Sequence, residues 1–98
     1  MDNQMKVSVI GQGYVGQSIA YNASLNGHKV FGFDSNIQVV GDLQIGITHV
    51  PGIDKKQLLK LIRKKSFIPT NDPLNLKGVQ VIIIAVPTPL DDNREPDL

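Results

Sequence analysis

Short apolar runs alternate with amphipathic stretches along this chain, which is the pattern of parallel strands joined by crossover helices. Four runs predict strands: one ending at Ile10, a second over Lys29–Phe33, a third over 66–68 and a fourth over 79–86. The fourth run is almost continuously β-branched, as expected of a strand that is covered on both faces. The sequence therefore predicts an α/β fold with a doubly wound parallel sheet in the strand order 3-2-1-4.

Helical spacing predicts the elements between these runs. The first helix is expected over Tyr14–Leu25, with Val15, Ile19 and Ala23 on its buried face. It should end in a left-handed turn at Gly27.

Two further helices are predicted before the third strand. A short one follows the second strand, and a basic one opens at Asp54, where Gln57 is expected to complete a reciprocal cap. Pro73 should begin one more short helical turn. The apolar positions of the short helix are Ile37, Val40 and Leu43, and those of the basic helix are Leu58, Leu61 and Ile62.

The first apolar run leads directly into a G-x-G-x-x-G turn at Gly11, Gly13 and Gly16. In dinucleotide-binding folds the first glycine permits a tight turn, the second lets the backbone approach the pyrophosphate, and the third lets the helix pack closely. The N–H groups at the start of the helix then face the anion. The preceding strand and the following amphipathic stretch favour a cofactor site.

Asp34 ends the second run at the distance from these glycines that is expected of a ribose-binding carboxylate. It can accept hydrogen bonds from both hydroxyl groups of an adenosine ribose, whereas a 2′-phosphate would meet a like charge. Ser35 and Asn36 follow and supply no arginine to offset that charge. The sequence therefore favours NAD over NADP. The alternative is that Asp34 caps the next helix.

Composition narrows the possible functions. A chain of 98 residues suits one small domain, the net charge of +1 does not indicate a nucleic-acid partner, and the lack of cysteine excludes thiol chemistry within this chain. A polar N-terminus and no apolar stretch of about 18 residues predict a cytoplasmic location without a membrane partner. No metal site is predicted, because the acidic residues near the C-terminus are interpreted as a charged loop: Asp91, Asp92 and Glu95.

The fourth run has the composition of an interior strand, yet it would form an edge of a four-stranded sheet. We therefore expect the chain to be a fragment. Residues 1–98 would form the N-terminal part of an NAD-binding domain whose sheet continues in a longer protein.

Three motifs carry a more specific resemblance. GQGYVG at 11–16, GFD at 32–34 and AVPTPLDDNREPDL at 85–98 resemble the NAD-binding domain of the UDP-glucose/GDP-mannose 6-dehydrogenase family over essentially the whole chain. Within that family, ITHVP at 47–51 and PLDDNREPDL at 89–98 resemble the UDP-N-acetylhexosamine branch, which includes UDP-N-acetylglucosamine 6-dehydrogenase.

The resemblance implies oxidation of the C6 alcohol of a nucleotide sugar to a carboxylate in two hydride transfers to NAD, through an adduct on a cysteine thiolate. That cysteine and its helpers belong to segments beyond this chain, so no catalytic residue is expected here. The full-length protein is expected to be a homo-oligomer. The alternatives are a UDP-glucose or GDP-mannose substrate, and a non-catalytic NAD-sensing or NAD-binding module.

The resemblance also implies how this chain places the cofactor. The backbone N–H groups of Tyr14 and Val15 would bind the pyrophosphate, Asp34 would bind the adenosine ribose, and Thr88 would lie on the nicotinamide side. The complete predicted set of cofactor-binding residues is Gly11, Gln12, Gly13, Tyr14, Val15, Gly16, Asp34, Val86, Pro87 and Thr88.

Two positions near this set need separate interpretation. Family members usually carry a lysine or arginine five residues after the ribose-binding acid, where this chain has Val39, so that basic clamp is missing. Val39 is interpreted as packing within the short helix. His49 lies in the irregular segment 46–52 and is interpreted as a surface-loop histidine, with contact to cofactor or substrate as the alternative.

Overall fold

A computed structural model describes residues 4–86 and contains one parallel sheet in the order β3-β2-β1-β4. The strands are β1 (Lys6–Ile10), β2 (Lys29–Phe33), β3 (Phe67–Thr70) and β4 (Val81–Ile84). They alternate with α1 (Tyr14–Leu25), α2 (Ile37–Gln44), α3 (Lys55–Arg63) and a 3₁₀ turn (Pro73–Leu76). The predicted fold class and strand order are confirmed.

Alternate residues of β1 face opposite sides of the sheet, and the two sides are covered differently. On one side, Val7 and Val9 belong to the buried core. On the other, Ser8 is buried and its hydroxyl donates a hydrogen bond to the carbonyl oxygen of Asn75 in the 3₁₀ turn, at 3.3 Å. The helices α1, α2 and α3 all contribute to the core on the first side: Val7, Val9, Ala20, Tyr21, Val30, Leu43, Leu58, Leu61 and Phe67.

The helix α1 has the predicted bounds and ends at Gly27, whose φ of 93° is left-handed as predicted. The predicted buried face is wrong at Val15, which is 63% exposed, whereas Ile19 and Ala23 are partly buried and pack against the core. The buried residues are mostly small or polar: Gly16, Gln17, Ala20, Tyr21 and Ser24. Because α1 begins in close contact with the turn that contains Gly11 and Gly13 (the glycine loop), its small side chains face the sheet.

The fourth strand lies at an edge of the sheet formed by residues 4–86, as predicted, but its expected coverage on both faces is wrong. Val81 and Ile83 pack against the core, whereas Ile82 and Ile84 are 52% and 71% exposed. The 3₁₀ turn packs on the far side of the sheet beside β1 and β2, so within residues 4–86 the two isoleucines remain exposed.

The third strand and the capping residues differ from prediction in detail. The strand runs to Thr70 through Pro69, which an edge strand tolerates because one side of its backbone needs no ladder hydrogen bond. The side chain of Asp54 caps α3 by accepting from the N–H of Gln57 at 2.9 Å. The reciprocal bond from Gln57 is replaced, since the N–H of Asp54 donates to the hydroxyl of Tyr21 at 3.4 Å.

The short helix predicted after the second strand and the helical turn predicted at Pro73 are both present, as α2 and the 3₁₀ turn. In α2, Val40 and Leu43 are buried and Ile37 is exposed. The segment 46–52 is irregular, as predicted. Among the described residues, no helix is long and apolar enough to cross a membrane.

Candidate cofactor site

The site lies where three parallel strands end at the same level. Ile10 is paired with Phe33 on one side and with Ile84 on the other. The chain leaves β1 at Gly11, whose N–H donates to the carbonyl oxygen of Phe33 at 2.8 Å. The N–H of Ala85, directly after β4, donates to the carbonyl oxygen of Ile10 at 2.7 Å. Ligands of open α/β sheets collect at this carboxyl edge.

Gly11 cannot be replaced without strain. Its φ is 96°, in the region that L side chains rarely adopt. A Cβ there would also lie 2.9 Å from Cγ1 of Val86 and 3.0 Å from its backbone nitrogen. The turn after β1 is therefore held tightly against the end of β4.

The other two glycines of the motif have different surroundings. A Cβ on Gly16 would overlap the carbonyl oxygen of Gly11, so the close approach is between α1 and the glycine loop itself, with Cβ of Ala85 3.5 Å away. A Cβ on Gly13 would meet no atom within 4 Å, and the φ of this residue is an ordinary −76°. Gly16 is therefore required by contacts within the chain, while Gly13 faces open space.

The start of α1 offers hydrogen-bond donors to that open space. Gly13 is the N-cap and contributes no side chain, and its carbonyl accepts the N–H of Gln17 at 2.9 Å. The N–H groups of Tyr14 and Val15 belong to the first turn, where a helix provides no internal acceptor and carries a partial positive charge. Both side chains are exposed at the surface. This arrangement suits an anion such as a pyrophosphate.

Asp34 is fixed beside the glycine loop by two backbone donors. Its Oδ2 accepts from the N–H of Gln12 at 2.8 Å, and its Oδ1 accepts from the N–H of Asn36 at 2.8 Å. Each carboxylate oxygen has a further lone pair for ribose hydroxyl groups. The N-cap of α2 is Asn36, whose side chain accepts from Gln38 and Val39. The suggested alternative role for Asp34, as the helix cap, therefore belongs to Asn36.

A buried pair of glutamines supports the loop from inside, and sequence reasoning missed this function. Gln12 is 1% exposed, and its Nε2 donates to the carbonyl oxygens of Val9 and Gly11, each at 3.1 Å. The Nε2 of Gln17 donates to the carbonyl oxygen of Gln12 at 2.7 Å. The side chain of Gln12, which was predicted to belong to the cofactor set, thus lies beneath the loop.

The side chain of Gln12 lies close to Gly32 in β2. A Cβ on Gly32 would lie 2.7 Å from Oε1 of Gln12 and 2.6 Å from Cε1 of Phe67. Within the described part of the chain, this Oε1 is buried and has no hydrogen-bond partner. A glycine in the middle of β2 was the one sequence signal that a side chain approaches closely there.

Three of the cavities formed by the described residues lie beside the start of α1, and two of them reach the glycine loop. One of about 220 Å³ lies between the glycine loop, α2 and the segment 46–52, and its lining includes Val39 and His49. The other, of about 450 Å³, is lined by Gly13, Tyr14, Val15, Ala85 and Val86. Val39 also packs against the core, as its interpretation predicted. A dinucleotide bound at the start of α1 would have space in both of these cavities. The predicted cofactor-binding residues Pro87 and Thr88 lie outside the described residues.

Comparison with known proteins assigns this chain to a family. Residues 5–98 match the sequence profile of the NAD binding domain of the UDP-glucose/GDP-mannose dehydrogenase family. The chain belongs to that family. The resemblance predicted from the motifs is confirmed, and the family description names NAD, the cofactor that Asp34 indicated.

Individual members of the family are similar over nearly the whole chain. Identity is 36% over 98 residues with a UDP-N-acetyl-D-mannosamine dehydrogenase of Pyrococcus horikoshii, covering 96% of this chain and 22% of the relative. Identity is also 36% over 94 residues with a UDP-N-acetyl-D-glucosamine 6-dehydrogenase of Pseudomonas aeruginosa, covering 96% of this chain and 21% of the relative. The chain spans about a fifth of the length of these relatives.

A solved structure of the family superimposes well on this fold. The chain matches a ternary complex of GDP-mannose dehydrogenase from Pseudomonas aeruginosa with a TM-score of 0.85 and 28% sequence identity. The match covers 95% of this chain and 22% of the other. The parallel sheet and its crossover helices are therefore those of a family NAD-binding domain.

Proposed function

We propose that this chain is the cofactor-placing part of a dehydrogenase that oxidises the C6 alcohol of a UDP-N-acetylhexosamine to a carboxylate in two NAD-dependent steps. The names of the two relatives that are 36% identical, both dehydrogenases of acetylated UDP-sugars, support this substrate class. The proposal includes a cytoplasmic location and a homo-oligomeric full-length enzyme. Residues 1–98 would form the N-terminal part of its NAD-binding domain, with the catalytic and sugar-binding domains in other segments.

The observation that carries the cofactor-binding part of the proposal is the position of Asp34. Its carboxylate is held by the N–H groups of Gln12 and Asn36 at the end of β2, beside the start of α1 and the open space at Gly13. In the proposal, the remaining lone pairs of Asp34 accept from the hydroxyl groups of the adenosine ribose. The N–H groups of Tyr14 and Val15 bind the pyrophosphate.

The chemistry proposed for the whole protein follows from the change in the sugar. Conversion of a C6 alcohol to a carboxylate consumes one water and removes two hydrides, so two NAD molecules accept them and protons are released. This chain has no cysteine, so the thiolate for the intermediate aldehyde level would come from another segment. The residues described here bind and orient the cofactor.

The variant Asp34→Ala tests the proposal. We expect NAD binding to weaken by about 1–3 kcal/mol, because the ribose hydroxyl groups lose a charged acceptor. The preference for NAD over NADP should also narrow, since the like charge that opposes a 2′-phosphate is removed. Calorimetric titration of both cofactors against both proteins measures the two effects.

A matched control separates this role from helix capping. Asp54→Ala removes a carboxylate that accepts a backbone N–H at 2.9 Å at the start of α3 and does not line either cavity beside α1. It should lower stability by about 1 kcal/mol and leave NAD binding unchanged. If Asp34→Ala also lowers stability and leaves NAD binding unchanged, Asp34 does not bind the ribose.

A second candidate substrate class has support of its own. The structural match to GDP-mannose dehydrogenase shows that a domain of this shape also serves an enzyme named for a sugar without an acetamido group. UDP-glucose or GDP-mannose is therefore the alternative substrate for the full-length protein.

A further inference from the structure

The cavity of about 220 Å³ beside α1 has an unusual charge balance for a phosphate-binding region. One of its walls is formed by Gly13 and Tyr14, where the proposed function places the cofactor diphosphate. Anions of this kind are commonly held by charge-assisted hydrogen bonds from cationic side chains. No lysine or arginine lies among the described residues that line the cavity, and His49 is the one lining side chain able to carry a positive charge.

The position of His49 is set by its two neighbours. The hydroxyl of Thr48 donates to Oε1 of Gln17 at 2.7 Å and accepts from the N–H of Val50 at 3.1 Å. The side chain of Val50 is buried. His49 itself is exposed and lines the same cavity as Gly13.

The same contacts connect His49 to the glycine loop. Gln17, which accepts from Thr48, also donates from its Nε2 to the carbonyl oxygen of Gln12 at 2.7 Å. The backbone N–H of Gln12 in turn donates to Asp34. A continuous series of hydrogen bonds therefore connects the segment that bears His49 with the glycine loop and with Asp34. This series fixes the relative positions of the three.

We propose that protonated His49, which lines the cavity beside α1, binds the diphosphate of the cofactor. The inference rests on the proposed NAD-binding function and adds a cofactor contact from the segment 46–52. An imidazolium donates from both ring nitrogens, whereas neutral imidazole has one donor. The contact therefore strengthens when the ring gains its proton.

Two other titratable groups line this cavity. Asp42, from α2, contributes a carboxylate to the lining, and its Oδ1 accepts from Nε2 of Gln38 at 2.9 Å. Tyr14, from α1, contributes a phenol to the lining. Neither group supplies the positive charge that the diphosphate requires.

The test is the pH dependence of NAD binding by the 98-residue chain. Imidazole side chains change charge between about pH 5 and pH 8, so NAD should bind more tightly at about pH 5.5 than at about pH 8.5. Because His49 is exposed, we expect an effect of about two- to fivefold in affinity. Calorimetric titrations with NAD and with adenosine, which lacks phosphate, are compared at both pH values.

Three variants assign the effect to one residue. His49→Gln should weaken NAD binding at low pH to the high-pH value and leave adenosine binding unchanged. His49→Lys should bind NAD tightly at both pH values, since its charge persists. His28→Gln removes the other histidine of the chain, which accepts the N–H of Met5 at 3.1 Å, and should behave as wild type.

The outcomes separate this inference from the proposed function. If wild type binds NAD with a pH profile that His49→Gln reproduces, or if adenosine binding changes in parallel with NAD, the His49 contact is refuted and the NAD site stands. A profile that is lost in His28→Gln also refutes it. If wild type binds no NAD at either pH, the proposed function fails and the inference fails with it.

Discussion

We expect Gly16→Ala to lower the stability of the fold and Gly13→Ala to weaken NAD binding. A Cβ on Gly16 overlaps the carbonyl oxygen of Gly11, a backbone atom that cannot rotate aside. The helix α1 must shift to accommodate the methyl group, which we expect to lower the free energy of unfolding by about 1–3 kcal/mol. For a domain of this size, each kcal/mol lowers the melting temperature by roughly 4–8 °C.

Gly13→Ala should leave stability nearly unchanged. No atom lies within 4 Å of the new Cβ, and alanine tolerates a φ of −76°. Alanine is a poorer N-cap than glycine but restricts the unfolded chain, and these opposing effects are each about 1 kcal/mol or less. The methyl group would occupy the space through which the diphosphate approaches, so NAD affinity should fall about tenfold or more, equal to about 1.4 kcal/mol.

Thermal unfolding followed by circular dichroism and calorimetric titration with NAD measure the two effects separately. Gly41→Ala is the matched control, because Gly41 lies inside α2 and a Cβ there meets no atom within 4 Å. It should stabilise the fold by about 0.5–1 kcal/mol without changing NAD affinity. Wild-type NAD affinity in Gly13→Ala would refute the approach of the cofactor at this position. Wild-type stability in Gly16→Ala would refute the tight contact between α1 and the loop.

Two further predictions concern the full-length protein and the isolated chain. The full-length protein should form two NADH per UDP-N-acetylhexosamine, followed by absorbance, and much faster turnover of UDP-glucose or GDP-mannose would contradict the substrate class while preserving the family. The 98-residue chain, which has no cysteine, should show no dehydrogenase activity. It should also associate in light scattering and exchange the amides of β4 faster than those of β1, because Ile82 and Ile84 are exposed on the edge strand. A monomer with equal protection in both strands would contradict the expectation that the chain is a fragment.

Much of the fold was predictable because its signals are local. The glycine motif, the β-branched run before Ala85 and the turn at Gly27 each reflect backbone preferences within a few residues. Strand order followed from the alternation of strands and helices, since right-handed crossovers permit few arrangements. Asp34 was identified from its spacing alone, and the structure places it beside the loop as expected.

The errors arose where packing overrides local pattern. A hydrophobic stripe predicted Val15 on the buried face of α1, but contact between Gly16 and Gly11 rotates the smaller residues inward. Apolar composition predicted cover on both faces of β4, yet cover depends on neighbouring elements, and composition does not show which of those are present. The reciprocal cap at Asp54 was displaced by Tyr21, which is distant in sequence.

The sequence by itself determined the family and the parallel sheet and identified Asp34 as the candidate ribose-binding carboxylate, because these depend on residue type and short spacings. Only the tertiary structure decided that Gln12 lies beneath the loop and that Thr48 joins Gln17 to hold His49 at the cavity. Those contacts join positions up to 31 residues apart through polar side chains. Such pairs have no sequence periodicity, and they form only after the strands have brought the loop and the segment 46–52 to one edge of the sheet.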